Sequence, residues 1–174
     1  MCETEYKQSE IMYSDGAPYP PVTVNEKNLS YARYLLDNIG GRNSEMTAIS
    51  LYLFQKQKCS EYKEISKAFH KIAIVEMHHF DLFSGLCMKL GETPLMWTNC
   101  GRKKVWWSPS YADYPGELKK ILTVAAEGEM SAIEKYRNQI QLIDDPYIQA
   151  ILHRIIKDEE LHVELFGQFY EKFC

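Results

Sequence analysis

The sequence predicts an all-α protein: a four-helix bundle with a long crossover between its second and third long helices and an internally duplicated helical hairpin. Three observations carry this expectation. From Glu26 onward apolar residues recur at three- and four-residue intervals, the period of a helix buried along one face. No stretch alternates polar and apolar residues between turn signals, as a half-buried strand would. And two stretches of the first half return in the second half at a nearly constant offset.

The elements follow in order. Residues 1–26 are polar and carry GAPYPPV, so they read as an extended arm laid over a partner subunit, outside a bundle of residues 27–174. A short helix α1 is expected over about 27–39, stopped by Gly40-Gly41. Helix α2 runs from Asn43 or Ser44, either of which can cap it, to about Gln57. Helix α3 spans about Ser60 to Leu90 and stops at Gly91. The next stretch, LGETPLMWTNCGRKKVWWSPSYADYPGE, is too long for a tight turn. It suits the crossover that a bundle with parallel second and third helices requires. Helix α4 opens near Pro115-Gly116-Glu117 and lasts to about Ile143. Asp145 then caps helix α5, which has Pro146 at its first position and runs nearly to Cys174.

Composition bounds the function. At 174 residues the chain can bury a sizeable core. Its net charge of −4 and single short basic cluster, Arg102 to Lys104, argue against a nucleic-acid partner. Cys2, Cys59, Cys87, Cys100 and Cys174 are scattered and none is spaced C-x-x-C, so no rubredoxin or zinc-ribbon module is encoded. The opening MCETEYKQSE lacks an apolar run, and no segment has the length of a membrane span. A reducing, cytoplasmic setting is expected.

The repeat carries the chemistry. EMTAISLY at 45–52 matches EMSAIEKY at 129–136, and EMHHFDLF at 76–83 matches EELHVELF at 159–166. Glu76 and His79 stand at i, i+3 and share a helix face, as do Glu159 and His162. His78 maps to Leu161 and points about a quarter turn away, as a structural or solvent-facing histidine. The stripes are otherwise apolar: Phe69, Ile72, Glu76, His79, Phe83, Leu86 on α3, and Leu152, Ile155, Glu159, His162, Phe166, Phe169 on α5. On α4 the stripe is Leu118, Leu122, Ala125, Glu129, Ala132/Ile133, Tyr136 and Ile140, and on α2 it is Glu45, Ala48/Ile49 and Tyr52. A buried carboxylate must be paired, protonated or bound to metal, because desolvating it bare costs several kcal/mol. No lysine or arginine shares these stripes near the acids. Four carboxylates are neutralised by two divalent cations, with two imidazoles completing the ligand set. One Glu-x-x-His arises often by chance. Two copies at matched offsets, each with an upstream Glu on an apolar stripe, do not.

At these motifs the chain resembles the ferritin-like superfamily, and specifically the rubrerythrin-like proteins, over about residues 27–172. Residues 128–166 are also similar to manganese catalases. The resemblance implies that Glu76 and Glu159 bridge two metal ions, with Glu45 and Glu129 as terminal carboxylates and His79 and His162 one on each ion. It implies two iron ions, or alternatively two manganese ions. Two features depart from rubrerythrins. The sequence carries no rubredoxin domain, and Ala132 stands where rubrerythrins have a further metal-ligating Glu.

Asp158 is placed to orient an imidazole through its distal N–H, while the matching α3 position is Val75, so the two histidines are expected to be held differently. Tyr52 and Tyr136 are read first as core tyrosines bonded to a carboxylate, and alternatively as catalytic redox or proton-donating groups. Glu127 and Glu134 fall off the inward stripes and are expected in solvent. Trp106 and Trp107 are expected to cover the bundle or a dimer contact. The expected function is a dinuclear oxidoreductase that reduces or dismutates hydrogen peroxide, or consumes dioxygen, with an unidentified electron donor and a homodimer or larger homo-oligomer as its assembly. The alternatives are a ferritin-like ferroxidase or iron store, and a non-catalytic helical scaffold.

Overall fold

A computed structural model describes residues 11–101 and 103–174. Cys2, Arg102 and the first ten residues of the arm lie outside the described residues. The bundle is made of α1 (Leu29–Gly40), α2 (Glu45–Lys58), α3 (Lys63–Leu90), α4 (Leu118–Leu142) and α5 (Pro146–Phe173). The duplicated hairpins are the pairs α2/α3 and α4/α5, which make the most extensive contacts.

The helix ends follow local chemistry. Ser44 caps α2, its hydroxyl accepting from the Thr47 amide, and Asp145 caps α5 by accepting from Tyr147 and Ile148. Helix α3 starts later than Ser60 because residues 59–62 form a turn, with Tyr62 N–H bonded to the Cys59 carbonyl. It ends as expected at Gly91, whose φ of 94° is the left-handed conformation that terminates helices. Gly40 has a different reason to be glycine. A Cβ there would lie 2.5 Å from the backbone of Met96 and Trp97, so the crossover lies directly against the end of α1.

The crossover also overturns the expectation of no strand. β1 (Trp97–Cys100) and β2 (Lys103–Trp106) form an antiparallel hairpin in which Trp97 faces Trp106. Strands of four residues are too short to display an alternation, and here they pair through the backbone ladder, with side-chain contacts added across it. Lys104 Nζ sits 3.7 Å from the Trp97 ring centroid. Thr98 donates to Asp37 on α1 at 2.6 Å, seating the hairpin on the bundle. Trp106 is largely exposed, whereas Trp107 is half-buried and its indole N–H donates to Thr47 at 3.0 Å.

Two apolar clusters fill the interior. One joins Leu35, Leu36 and Ile39 of α1 to Phe83 and Leu86 of α3, Tyr136 of α4 and Leu152 and Ile155 of α5. The other joins Tyr52, Phe69, Ile72, Leu122, Ala125, Phe166 and Phe169. Along α3, α4 and α5 the acidic residues fall between the stretches belonging to each cluster. The acids therefore form a polar layer at mid-bundle with oil on both sides.

A second buried polar contact ties α1 to α4. Asn38 and Gln139 exchange amide hydrogen bonds at 2.8 and 2.9 Å. Asn38→Ala strands the Gln139 amide oxygen, while its NH₂ keeps the Tyr34 carbonyl. Such an unsatisfied group costs about 1–3 kcal/mol. We expect the melting temperature to fall by roughly 2–10 °C in a chain of this size, read by calorimetry.

Candidate metal centre

Six side chains predicted to share the site meet in the polar layer. Glu45, Glu76, His79, Glu129, Glu159 and His162 are all buried, each less than 4% exposed. They fall into two groups whose ligand-type atoms lie within 4.8 Å of one another: Glu45, Glu76, His79 and Glu159, and Glu76, Glu129, Glu159 and His162. Glu76 and Glu159 belong to both.

The oxygens divide between the groups. Around His79 Nδ1 stand Glu76 Oε2 at 3.1 Å, Glu159 Oε1 at 3.3 Å and Glu45 Oε2 at 4.0 Å. Around His162 Nδ1 stand Glu159 Oε2 at 3.0 Å, Glu76 Oε1 at 3.1 Å and Glu129 Oε1 at 3.5 Å. Each central glutamate thus sends one oxygen to each group. A ring nitrogen carries at most one proton, so it cannot donate to three oxygens at once. Glu76 Oε1 accepts no well-aligned hydrogen bond although His162 Nδ1 is 3.1 Å away. Each Nδ1 has a hydrogen-bond contact with one oxygen, Glu76 Oε2 for His79 and Glu159 Oε2 for His162, while the remaining oxygens converge on the same points, as ligands of a common cation would.

The outer ring nitrogens fix the tautomers. His162 Nε2 lies 2.9 Å from the Tyr13 carbonyl, which can only accept, so that nitrogen carries the hydrogen. His79 Nε2 lies 3.0 Å from Asp158 Oδ2. Burial works to raise the Asp158 pKa, but hydrogen bonds from His79, Arg154 and Tyr19 hold it down at about 2, so Asp158 also accepts. In each neutral imidazole the Nδ1 lone pair then points into the acid layer.

The two tyrosines cross between hairpins. Tyr52 on α2 donates to Glu129 on α4 at 2.5 Å, and Tyr136 on α4 donates to Glu45 on α2. Phe166 packs 5.8 Å from Tyr52 and Phe83 packs 5.5 Å from Tyr136, so each ring pair also crosses between the hairpins. Helix position places each tyrosine on the face of its own helix's glutamate. Which facing helix receives the hydroxyl depends on how the hairpins dock.

Electrostatics in the layer are strained. Burial, then the charges of Glu76 and Glu159, push the Glu45 carboxyl well up and raise Glu129 to about 8. Burial also works to raise Glu76, but His162 and His79 pull it below the usual carboxylate range. Burial opposes charge on His79 and His162, yet the surrounding carboxylates hold both well above the ordinary imidazole value. Protons thus take the place of positive charge in the layer. The donor set, four carboxylates and two imidazoles around two shared oxygen pairs, fits two divalent cations.

Beside the layer lies a cavity of about 50 Å³, lined by Glu45, Glu129, Glu159, Tyr52, Tyr136, Ala48 and Ala132 among others. That is room for a molecule of a few heavy atoms. Ala132 borders this space, so the sequence departure leaves a gap beside the acids. Glu127 and Glu134 face solvent, as does His78, whose ring meets Tyr19 edge-on.

Two cations approach the layer more closely than helix position suggested. Lys135 Nζ donates to the Asn43 carbonyl, and burial depresses its pKa against the charges of Asp37 and Glu45. Arg154 is 5% exposed and pairs with Asp158 at 2.8 Å. Long side chains carry their charge far from their own Cα, so stripe position does not locate it. Neither bonds to the four central glutamates.

Sequence reasoning also missed Tyr13, Tyr19 and Arg154. The described part of the arm lies on the chain's own α3 and α5 rather than only on a partner, with the Tyr19 hydroxyl 2.5 Å from Asp158 Oδ2. Extended chain has no periodicity to mark such a contact. The one readable signal was Arg154 four residues before Asp158 on the same helix.

No curated protein matches the chain significantly. Among solved structures it is similar to KatB, a manganese catalase from Anabaena, with a TM-score of 0.82 at 22% identity over 92% of this chain and 80% of that one. It is also similar to a bacterioferritin from Rhodobacter capsulatus, with a TM-score of 0.69 at 21% identity over 85% of this chain and 88% of that one. Mycobacterium tuberculosis bacterioferritin BfrA gives 0.67 at 17% identity, over 84% and 87%. At these identities the likeness is one of fold, the ferritin-like bundle. The rubrerythrin family model matches residues 41–170, which include all six side chains of the layer, and the chain belongs to the rubrerythrin family.

Proposed function

We propose that the protein is a dinuclear non-haem metal oxidoreductase that reduces or dismutates hydrogen peroxide or consumes dioxygen. Glu76 and Glu159 would each offer one oxygen to both of two cations, with Glu45 and His79 completing one position and Glu129 and His162 the other. The observation that carries this reading is the division of each central carboxylate between the two histidines. Two redox-active ions held there would supply two-electron chemistry toward a small oxidant. Iron is the proposed metal, with manganese as the alternative given the fold likeness to a manganese catalase.

The chain's own residues supply the rest. The cavity beside Glu45 and Glu129 admits a small oxidant and excludes a bulky organic one. Burial and then the adjacent glutamate hold the Tyr52 and Tyr136 hydroxyls well above their ordinary pKa, so they stay protonated. They act as donors that position the terminal carboxylates, and Asp158 orients His79. Tyr136→Phe is expected to lower turnover about tenfold or more while two cations still bind. Loss of both ions would instead show that Tyr136 holds the site together. Peroxide reduction requires an electron donor and dismutation does not. A homodimer is the proposed assembly.

The test is reconstitution with Fe(II) followed by peroxide. A changed metal absorbance with loss of peroxide supports the reading, and neither change overturns it. The second reading, a ferroxidase in a storage shell, draws on the bacterioferritin likeness. It requires a large cage, which size-exclusion mass would reveal.

Loading should also depend on pH. Without metal the layer holds protons on Glu129, Glu45 and the two imidazoles, and cations displace them. Affinity therefore rises with pH toward about 8 and falls as the layer takes protons back. Titrating Mn(II) at about pH 6 and about pH 8 checks this, and a flat affinity would contradict it.

A further inference from the structure

We propose that the segment from Tyr13 to Tyr19 is a strap that makes the two cation positions unequal, with Tyr19 acting as a positioning residue for His79 through Asp158. The inference rests on the two-cation reading above.

The strap touches the outer nitrogen of both histidines, but with different chemistry. His162 donates to a neutral backbone carbonyl, that of Tyr13. His79 donates to a buried carboxylate, Asp158. The duplication gives no second Asp, because the position matching Asp158 on α3 is Val75. Strap backbone occupies the place where a second carboxylate would be needed. An imidazole that donates to a carboxylate is a stronger metal ligand than one that donates to an amide carbonyl. The His79 position is therefore the tighter one.

The strap also clamps Asp158. Its Oδ1 accepts from the Asp15 amide at 2.7 Å and is ion-paired with Arg154 Nη1 at 2.8 Å. Its Oδ2 accepts from the Tyr19 hydroxyl at 2.5 Å and from His79 at 3.0 Å. Arg154 returns to the strap, donating to the carbonyls of Asp15 at 2.7 Å and Ala17 at 2.8 Å. The Tyr19 ring stacks 4.1 Å from its guanidinium carbon. With Oδ1 held by the Asp15 amide and the Arg154 charge, Oδ2 faces His79, and Tyr19 holds it there.

Asp158→Asn inverts this logic. The Asp15 amide and Arg154 keep the amide oxygen, which turns the NH₂ toward His79 Nε2. His79 must then carry its hydrogen on Nδ1, where the cation should bind. The same isostere that fills the space removes the ligand lone pair at one position only.

The test is calorimetric titration of the full chain with Mn(II). Wild type should bind two ions with dissociation constants about tenfold or more apart. Asp158→Asn should weaken the tighter step by about 10- to 100-fold and leave the other within about twofold. Tyr19→Phe removes one hydroxyl from a half-buried side chain and should weaken the same step by about three- to tenfold, with the metal-free melting temperature little changed. Equal affinities in wild type, or both steps weakening alike in Asp158→Asn, would overturn the inequality. An unchanged or tighter first step in Tyr19→Phe would overturn the positioning role. Wild type that takes up no cation would instead overturn the two-cation reading itself.

Discussion

Glu76→Gln is expected to leave the purified protein with neither metal ion, whereas Glu129→Gln should cost only one. The difference lies in where the oxygens go. Glu76 has Oε2 3.1 Å from His79 Nδ1 and Oε1 3.1 Å from His162 Nδ1, so it serves both positions. Glu129 approaches only His162, at 3.5 Å, and belongs to one group. Converting Glu76 to an amide turns one of its two oxygens into an NH₂ aimed at a cation. In Glu129→Gln the His79 group keeps Glu45, Glu76 and Glu159. Metal per chain should fall from about two to near zero in the first variant and to about one in the second, with at least a hundredfold less peroxide consumption in both because a two-electron change needs both ions. Elemental analysis beside a peroxide assay reads this, with circular dichroism to show that the helices persist. Equal metal content in the two variants would remove the distinction between bridging and terminal carboxylates.

The layer itself shows where sequence suffices. The α-helical period placed every acid and both histidines on buried faces, because one turn of helix fixes the direction of a side chain to within a fraction of a quadrant. The duplication then picked His79 over His78, and the structure has His79 buried and His78 exposed. Capping chemistry located Ser44, Asp145 and Gly91 for similarly local reasons. What stayed hidden depends on docking between distant segments. Tyr52 reaching Glu129 links residues 77 apart, and Tyr19 reaching Asp158 links residues 139 apart. No periodicity within either segment encodes such a pairing. The hairpin at Trp97–Trp106 was hidden for want of length, since a four-residue strand shows at most two side chains on each face.

Loading with divalent cations should raise the melting temperature by roughly 15–30 °C, an effect larger than most single substitutions would produce. The metal-free protein buries four carboxylates in a layer with apolar clusters on either side. Without cations, burial and the neighbouring carboxylates favour protons on Glu45, Glu129, His79 and His162. A ligand that binds the native chain and not the unfolded one stabilises by about 4 kcal/mol when present at a thousand times its dissociation constant. Two ions at such excess contribute about 8 kcal/mol, and each kcal/mol moves the midpoint of a chain of this length by about 2–4 °C. Because the ions join α2, α3, α4 and α5 at one point, the gain should appear as a shift of the whole transition and not of one hairpin. Scanning calorimetry with Mn(II), then with a chelator in excess, measures it. A shift of only a degree or two would mean that the layer holds its ions weakly or that its protons already do the same work.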